Sequence, residues 1–350
     1  MSPVSTVDEL VKAVAAVEPR AGEAARERHR LLAKPPGSLG RLEDLGVRLA
    51  EMSGHCPPPV PSSPAVIVAA GDHGVHAQGI SDWPQSVTEA MVSTIASNGA
   101  AVNAIARSVG ADVTVVDVGS SRTGPCPAGV RDARVRRGTR DIVVEPAMTV
   151  DECTAAVVAG ATVAAELIAD GTDLLVTGEV GIGNTTATAC LVSALTGADP
   201  TAVTGNGANA DDSRTPRKLD AVRAALHRHG PDRDPLRTLA SLGGLEHAAL
   251  AGAVLAAAAA RVPVVADGVV SGAAVLVAIE LCPAAAGYVI AGHTSAERGG
   301  RALADRIDHP ALIDLDLRLG EGTGALLAVP VVQAAASVLA EMATLESVVG

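Results

Sequence analysis

Short apolar segments rich in β-branched residues alternate along this chain with longer, alanine-rich segments. The helix-length stretches between them include Asp151–Ala169 and Leu245–Ala260. Strands that alternate with helices in this way predict an α/β fold, in which a largely parallel sheet is covered by helices on both faces. The segments expected to form strands are Ala65–Ala70, Val113–Val118, Asp141–Val144, Leu174–Thr177, Val262–Ala266, Gly287–Ala291 and Leu312–Leu317.

The two ends of the chain have a different pattern. The residues before the first predicted strand have helical patterning and end in the proline-rich linker CPPPVPSSP, Cys56–Pro64. The segment Ala325–Glu346 has the pattern of one long helix, interrupted only by Pro330. Because neither end adds a strand, we predict that residues 1–60 and 325–350 form a small helical domain beside a large α/β catalytic domain of residues 61–324.

Glycine-rich and charged motifs follow most of the predicted strands. In parallel sheets, ligands bind where the carboxyl ends of the strands turn into helices. Five such ends therefore direct polar groups at one edge of the predicted sheet. The motifs are GDHGV after Ala70, TGEVGIGNTTA after Val176, ADGVVSGAA after Val265, AGHTSAERGG after Ile290 and LRLGEGTGA after Leu315.

Charge and aromatic content indicate a small-molecule enzyme and argue against a nucleic-acid-binding protein. The formal net charge is -12, whereas phosphate backbones are bound by clustered Lys and Arg. The chain has no Phe, one Trp and one Tyr, so it lacks aromatic platforms on which bases stack. The one basic cluster, Arg131–Arg140, is expected to be a solvated loop.

Cysteine usage and hydropathy indicate a cytoplasmic location. The 5 cysteines are dispersed, without a C-x-x-C pair, which favours neither a disulfide framework nor a zinc site. The first thirty residues mix acids and bases, unlike an export signal. Charged residues and a proline divide the apolar region Leu245–His293 into runs much shorter than the ~18 residues of a membrane span. We therefore expect no membrane-spanning helix.

The stretch TGEVGIGNTTA, Thr177–Ala187, has the spacing of a phosphate-binding P-loop, but Asn184 stands where that motif has lysine. Its glycines and the N–H groups of the following helix would form an anion site. The missing lysine disfavours a kinase or ATPase, since lysine reaches the β- and γ-phosphates, whereas a monophosphate needs no such reach. An ordinary capped turn and a non-catalytic nucleotide sensor remain alternatives.

Other motifs offer titratable groups at the same edge. In RLGEGTGA, Glu321 lies between two glycines before a helix, where it is either a general base or a partner of the helix dipole. In GDHGV, Asp72 and His73 lack a neighbouring set of metal ligands, so a structural hydrogen-bonding role is favoured. His293 is similarly isolated in the sequence. We predict no metal site and no cofactor.

Eight motifs together resemble the nicotinate-nucleotide:dimethylbenzimidazole phosphoribosyltransferase family. They occur in order between Lys34 and Ala325, covering nearly the whole chain, and their series is far more specific than any one of them. The motifs are KPPGSLGRLEDL, GDHGVHAQGISDWPQSVT, TGEVGIGNTTA, DDSRTPRK, GGLEHAALAGA, PVVADGVVSGAAV, AGHTSAERG and RLGEGTGA.

The resemblance implies a fold, an assembly and a reaction. The fold is a Rossmann-like parallel sheet with a small helical domain from both termini, and the assembly is a homodimer. The reaction transfers phosphoribose from nicotinate mononucleotide to 5,6-dimethylbenzimidazole and releases nicotinate and α-ribazole 5′-phosphate. Because nicotinate leaves from an activated pyridinium, neither a metal nor a covalent nucleophile is required.

The resemblance also implies roles for individual residues. Glu321 matches the catalytic base, which reverses the preference for a dipole partner. Trp83, Gln85 and Leu319 match the benzimidazole pocket. Residues that match the nucleotide and phosphate site are Glu179, Gly181, Ile182, Gly183, Asn184, Thr185, Thr186, Lys218 and Ser295. One departure is the run Ala208–Ala210, where the family commonly has a further glycine-containing segment.

Overall fold

A computed structural model describes residues 6–207, 212–230, 232–300, 306 and 309–350. Within these ranges, six strands form one parallel sheet in the order β3-β2-β1-β4-β5-β6. This order is that of a Rossmann-like sheet, and it confirms the predicted α/β class. The strands are β1 Pro64–Gly71, β2 Asp112–Gly119, β3 Val130–Asp132, β4 Leu174–Val180, β5 Val264–Ala266 and β6 Val289–Ala291.

Helices lie in all the connections between successive strands except that from β2 to β3, and they cover the sheet. The crossovers between parallel strands require them, since both faces of such a sheet are buried. Among the described residues the helices are α1 Val7–Ala13, α2 Pro19–Leu31, α3 Arg41–Ser53, α4 Ser86–Ala96, α5 Ala101–Val109, α6 Val150–Ala169, α7 Asn184–Thr196, α8 Pro200–Val203, α9 Thr215–His229, α10 Pro235–Leu242, α11 Leu245–Ala259, α12 Val269–Leu281, α13 Thr323–Glu341 and α14 Leu345–Val349.

The core is built around β1 and α11. All eight residues of β1 are buried, as expected of a central strand with helices on both faces. Helix α11 is buried on nearly all sides and crosses α6 at very short range. A Cβ on Gly160 of α6 would lie 1.8 Å from the Ala249 carbonyl oxygen, and one on Gly252 would lie 1.9 Å from that of Val157. Only glycine permits this approach.

Two predicted strands are wrong, and one strand was missed. Residues 141–144 form a turn, because the Asp141 carboxylate accepts a hydrogen bond from the Val143 amide and a further one from Gln78. Residues 312–317 contribute a single bridge, from Ile313 to His293. The third strand is instead the polar edge strand Val130–Asp132, which lies partly within the basic cluster predicted to be a loop.

The basic cluster is also less solvated than predicted. Arg136 and Arg140 both bind the Glu152 carboxylate at the N-terminus of α6, with the closest contact at 2.7 Å. Arg131 pairs with Glu166, and both of those side chains are about half exposed. The expectation of a solvated loop is therefore wrong for the part of the cluster that holds α6.

The N- and C-terminal segments contact each other. Leu32 forms an antiparallel bridge with Thr344. A small apolar cluster joins α2 and α3 to Leu339 of α13. Helix α13 also packs against α5 and β5. The single helix predicted to reach Glu346 is wrong in its end, because α13 ends at Glu341 and α14 begins at Leu345. The division into residues 1–60 plus 325–350 and residues 61–324 stays a prediction.

Two helices, α6 and α13, are long and apolar enough to cross a membrane by length and composition alone. Both pack against other parts of the molecule, α6 on α11 and α13 on α3, α5 and the sheet. A helix buried in a protein core has the same apolar composition. The interrupted region 245–293 forms α11, α12 and the strands β5 and β6.

Candidate active site

A cavity of about 470 Å³ opens at the carboxyl edge of the sheet. The strand order reverses between β1 and β4, and ligands bind at such a point in open α/β sheets. The volume is within the range of small-molecule sites. Residues from the ends of β4, β5 and β6, from α4 and from the segment before α13 line it, including Trp83, Val87, Thr88, Met91, Glu179, Gly181, Ile182, Asn184, Thr185, Gly207, His293, Ser295, Arg318, Leu319 and Glu321.

The glycine-rich turn between β4 and α7 forms one wall of this cavity. Gly183 caps α7 with φ +99°, a conformation that side-chain-bearing residues rarely adopt. A Cβ on Gly181 would lie 2.0 Å from the Gly71 carbonyl oxygen, so the turn packs tightly on the end of β1. The positive end of the α7 dipole is thereby directed at the cavity.

Asn184 and Thr185, the first residues of α7, each bind a charged side chain from another part of the site. The Asn184 amide donates a hydrogen bond to the Glu179 carboxylate. The Thr185 hydroxyl accepts one from the Lys218 ammonium group at 2.9 Å. The position of the P-loop lysine is therefore occupied by an amide that orients Glu179. The cation comes instead from α9.

Lys218 is almost completely buried beside the cavity. Burial lowers the pKa of its ammonium group to about 8, although the Glu297 carboxylate opposes the shift. A Cβ on Gly207 would lie 2.6 Å from the Thr185 hydroxyl and 3.1 Å from the Lys218 nitrogen, so the chain passes close over this pair. The departing run Ala208–Ala210 lies outside the described residues.

Glu321 lies in a turn that forces its carboxylate towards the cavity. Its φ is +63°, and the flanking Gly320 and Gly322 are also left-handed, at +87° and +89°. A Cβ on Gly178 of β4 would lie 2.4 Å from the Glu321 carbonyl oxygen. The glycines thus let the turn lie directly on the strand. A strained residue with a side chain in such a conformation is common at functional sites.

The surroundings of Glu321 favour a base of raised strength. The residue is only 5% exposed, and its Oε2 has no hydrogen-bond partner among the described residues. Burial raises the pKa of Glu321; the Val102 amide opposes this and the Asp267 charge reinforces it. A buried carboxylate that lines a cavity and has an unpaired oxygen can accept a proton from a bound substrate.

Glu179 is a second buried carboxylate in the same wall. Burial raises the pKa of Glu179 well above its usual value, and the negative charge of Asp267 is the next largest cause. The backbone amide of Glu321 donates to the Glu179 carbonyl oxygen at 3.2 Å, which keeps the two residues together. Both carboxylates therefore bind a proton more readily than a solvent-exposed glutamate does.

The structure brings most of the predicted site residues together around one cavity. Four of them, including Lys218, do not line it. The Gln85 amide donates to the His73 carbonyl oxygen at 3.0 Å, Gly183 supports the turn from behind, and Thr186 is buried. Those that line the cavity are Trp83, Glu179, Gly181, Ile182, Asn184, Thr185, Ser295, Leu319 and Glu321, with Lys218 behind Thr185.

The motif around Asp72 and His73 has buried partners that sequence neighbours did not reveal. The Asp72 carboxylate accepts hydrogen bonds from Thr88 and Ser121. The His73 Nε2 lies 2.7 Å from Glu246 Oε1, a carboxylate from the first turn of α11. The interpretation of Asp72 and His73 as lacking a second carboxylate is therefore wrong for His73.

A buried cluster of His73, Glu246 and His247 has the two imidazoles and one carboxylate that can hold a divalent metal. The Glu246 Oε1 forms a hydrogen bond with His73 Nε2 at 2.7 Å and lies 2.8 Å from His247 Nδ1, within ion-pair distance. Burial opposes ionisation, but the two imidazoles lower the pKa of Glu246. The arrangement present is a carboxylate shared by two histidines beneath the β1 and β4 ends.

Sequence reasoning missed Thr88, Asp267 and the partner of His293. The Thr88 hydroxyl accepts from the Ile182 amide, so α4 supports the glycine-rich turn. His293 lines the cavity and lies 3.3 Å from the Asp267 carboxylate. Although burial opposes it, this carboxylate raises the pKa of His293. The position of Asp267 at the end of a predicted strand was the signal available in the sequence.

Comparison with known proteins gives matches over nearly the whole chain. A family model described as phosphoribosyltransferase matches residues 14–349. A nicotinate-nucleotide–dimethylbenzimidazole phosphoribosyltransferase from Salinispora tropica is 50% identical, over 97% of this chain and 98% of that protein. A protein of the same name from Deinococcus radiodurans is 45% identical, over 98% of this chain and 95% of its own.

A solved structure is similar to the same extent. The crystal structure of CobT from Thermus thermophilus superposes with a TM-score of 0.91 at 42% sequence identity. The match covers 94% of this chain and 98% of that chain. The similarity therefore extends over nearly the whole chain.

Proposed function

Since the chain belongs to the nicotinate-nucleotide–dimethylbenzimidazole phosphoribosyltransferase family, we propose that it transfers phosphoribose from nicotinate mononucleotide to 5,6-dimethylbenzimidazole. The products are nicotinate and α-ribazole 5′-phosphate, in assembly of the cobalamin nucleotide loop. The observation that carries the proposal is the union, in one cavity, of a helix N-terminus suited to a phosphate and a buried carboxylate with an unpaired oxygen.

The reaction needs little covalent chemistry from the protein. A benzimidazole nitrogen attacks C1′ of the ribose on the face opposite nicotinate, and the breaking bond leaves its electrons on the pyridinium nitrogen. The configuration at C1′ inverts from β to α. Glu321 takes the proton from the other benzimidazole nitrogen, which prevents a positive charge from remaining on the product. Orientation of two substrates supplies the rest of the acceleration.

The phosphate site is proposed at the start of α7. Thr185 and Ser295 offer hydroxyl donors beside the N-terminus of α7, and Lys218 supplies a positive charge behind Thr185. Such a site matches the single phosphate of a mononucleotide. It has no lysine at position 184 to reach the β- and γ-phosphates of ATP.

The benzimidazole site is proposed at the apolar mouth of the cavity. Trp83 and Leu319 are 50% and 59% exposed there, and Val87 and Met91 of α4 extend the apolar wall. Gln85 acts indirectly in this proposal, because its amide is bound to the His73 carbonyl group. We further propose that the protein acts as a cytoplasmic homodimer, without a membrane span, a nucleic-acid partner, a metal or a cofactor.

Incubation of the purified protein with nicotinate mononucleotide and dimethylbenzimidazole tests the function. We expect equimolar nicotinate and α-ribazole 5′-phosphate, separated by chromatography, without added ATP or divalent metal. Release of nicotinate only in the presence of ATP and Mg²⁺ would contradict the proposal. Binding of nicotinate mononucleotide without any turnover would support a sensor instead.

A further inference from the structure

The carboxylate of Asp267 binds the backbone of the turn that carries Glu321. Its Oδ2 accepts a hydrogen bond from the Gly322 amide at 3.1 Å, and its Oδ1 accepts two more, from Gly324 at 2.9 Å and Ala325 at 3.0 Å. Asp267 follows β5 directly, and its own amide donates to the Thr177 hydroxyl of β4. The turn is therefore fixed to two strands through one buried side chain.

These three bonds replace a cap that helix α13 lacks. Its N-cap is Gly322, which has no side chain to accept from the first turn of the helix. Asp267 supplies that acceptor from a distant part of the sequence, and its negative charge also lies at the positive end of the helix dipole. Loss of the carboxylate would release the N-terminus of α13 and, with it, the left-handed conformation of Glu321.

The Asp267 charge also acts on Glu321 directly. Both carboxylates are at least nine-tenths buried, so water screens their repulsion poorly. The repulsion favours the protonated form of Glu321 and makes its carboxylate more basic. Four charged groups face the Glu321 turn: Glu179 from β4, Asp267 from the end of β5, His293 from the end of β6 and Arg318 from the segment before the turn. Two further carboxylates act indirectly. Glu246 affects the pKa of Glu179, and Asp314 affects that of His293.

We propose that Asp267 is a positioning residue for the catalytic carboxylate: it holds the turn that presents Glu321 to the substrate and, as a buried negative charge, keeps Glu321 a stronger base. His293 moderates this effect, because its imidazole lies 3.3 Å from the same carboxylate and offsets part of its charge. The inference rests on the proposed function. Its test therefore includes a readout that does not depend on turnover.

Asp267→Asn is the main variant, since it removes the charge with little change in shape. The acidic limb of the kcat/KM profile reports protonation of the base in the free enzyme. We expect this limb to move to lower pH by about one unit, because removal of a nearby negative charge makes Glu321 a weaker base. The rate above the limb should fall at least about tenfold as the turn loosens and the base weakens.

His293→Gln should move the limb in the opposite direction. Without the imidazole, the Asp267 charge acts on Glu321 undiminished, so protonation of Glu321 should occur at higher pH. Asp117→Asn is the matched control: Asp117 is a fully buried carboxylate of β2 that binds Ser120 and Arg122 and does not line the cavity. The acidic limb of the kcat/KM profile of Asp117→Asn should coincide with that of the wild type. Thermal unfolding verifies that each variant is folded.

Carbon-13 NMR of Glu-labelled protein provides the readout independent of turnover. The carboxyl resonance that disappears in Glu321→Gln should titrate at lower pH in Asp267→Asn than in the wild type. An unchanged titration midpoint and an unchanged pH limb would overturn the inference even if activity fell. If Asp267→Asn does not fold, a His293→Gln limb at or below the wild-type pH would overturn it. A wild type without turnover counts against the proposed function, and the NMR titration then decides the inference alone.

Discussion

Glu321 combines a left-handed backbone, a buried carboxylate and an oxygen without a described partner. Each of these features costs stability unless something offsets it, and here Gly178, Gly320 and Gly322 allow the conformation while Asp267 binds the backbone. Local strain of this kind is retained where a side chain has a chemical role. Substitution of Glu321 itself therefore tests the catalytic proposal most directly.

Glu321→Gln keeps the size and polarity of the side chain and removes its basicity. We expect kcat to fall by roughly 10²- to 10⁴-fold, the contribution of a positioned general base. The thermal unfolding temperature should stay close to that of the wild type or rise, since a buried carboxylate is lost. Steady-state release of nicotinate measures the effect. Glu23→Gln, an exposed carboxylate of α2, is the control, and comparable activity of the two variants would contradict the assignment.

Lys218 should give the proposed phosphate site a pH dependence. Burial lowers the pKa of its amine to about 8, so the positive charge is present below this pH and is lost as the pH rises through it. The KM for nicotinate mononucleotide should therefore increase above about pH 8. Lys218→Gln should have a higher KM for nicotinate mononucleotide than the wild type at neutral pH, and this KM should not change between about pH 7 and 9. A flat wild-type profile between about pH 7 and 9 would contradict the role of the ammonium charge.

Among the helices, the N-termini of α6 and α7 have different roles: one is stabilised by a cap and the other lies at the candidate site. Helix α7 directs its first turn at the cavity, whereas α6 begins with a reciprocal capping box between Thr149 and Glu152. Arg136 and Arg140 bind the same Glu152 carboxylate, so the segment after β3 is tied to the start of α6. This connection gives a role to the basic cluster that composition alone did not suggest.

Glu152 should contribute to stability in an acid-sensitive manner. The hydrogen bond from Arg140 lowers the pKa of Glu152 to about 2, against the effect of burial and below its usual value of 4.5. Its contribution is therefore complete above about pH 4.5 and is lost as the pH falls towards 2. Denaturant unfolding should show that Glu152→Gln has a lower free energy of unfolding than the wild type at pH 7. Between about pH 4.5 and 2, the variant should lose less of this free energy than the wild type does. Parallel curves for variant and wild type would contradict this linkage.

At the scale of the molecule, the cavity is open and its mouth is apolar. Leu319 is more than half exposed and Trp83 is half exposed, and both line the cavity. Exposed apolar groups near a site are typical of a surface that binds a ligand or a protein partner. In the proposed homodimer, a second copy of the chain would cover part of this surface.

Light scattering during gel filtration measures the mass of the protein in solution and therefore the number of chains in the assembly. We expect a mass twice that of the chain, with dissociation only on strong dilution, because subunit association depends on concentration. A single-chain mass at all concentrations would contradict the homodimer. Addition of nicotinate mononucleotide during the run shows whether occupation of the cavity changes the association.

The fold class and much of the candidate site could be predicted from sequence, because both depend on local patterns. Alternating apolar segments predicted five of the strands, and the glycines before α7 and around Glu321 marked turns that need left-handed or closely packed backbone. Each of these signals lies within a few neighbouring residues, where periodicity and glycine content have direct structural consequences. For this reason, the turn before α7 and the turn around Glu321 could both be assigned to the candidate site from the sequence.

Pairings between distant segments were decided only by the tertiary structure. The polar strand Val130–Asp132 exists because it pairs with β2, while the more apolar run 141–144 has no strand partner among the described residues and turns instead. His73 meets a carboxylate 173 residues away, and Asp267 binds amides of residues 55 to 58 positions later. Such contacts leave no periodic trace in the chain, because they depend on which strand ends the sheet places side by side. The sequence by itself determined the elements and the turns; the packing of the sheet decided which charges face Glu321.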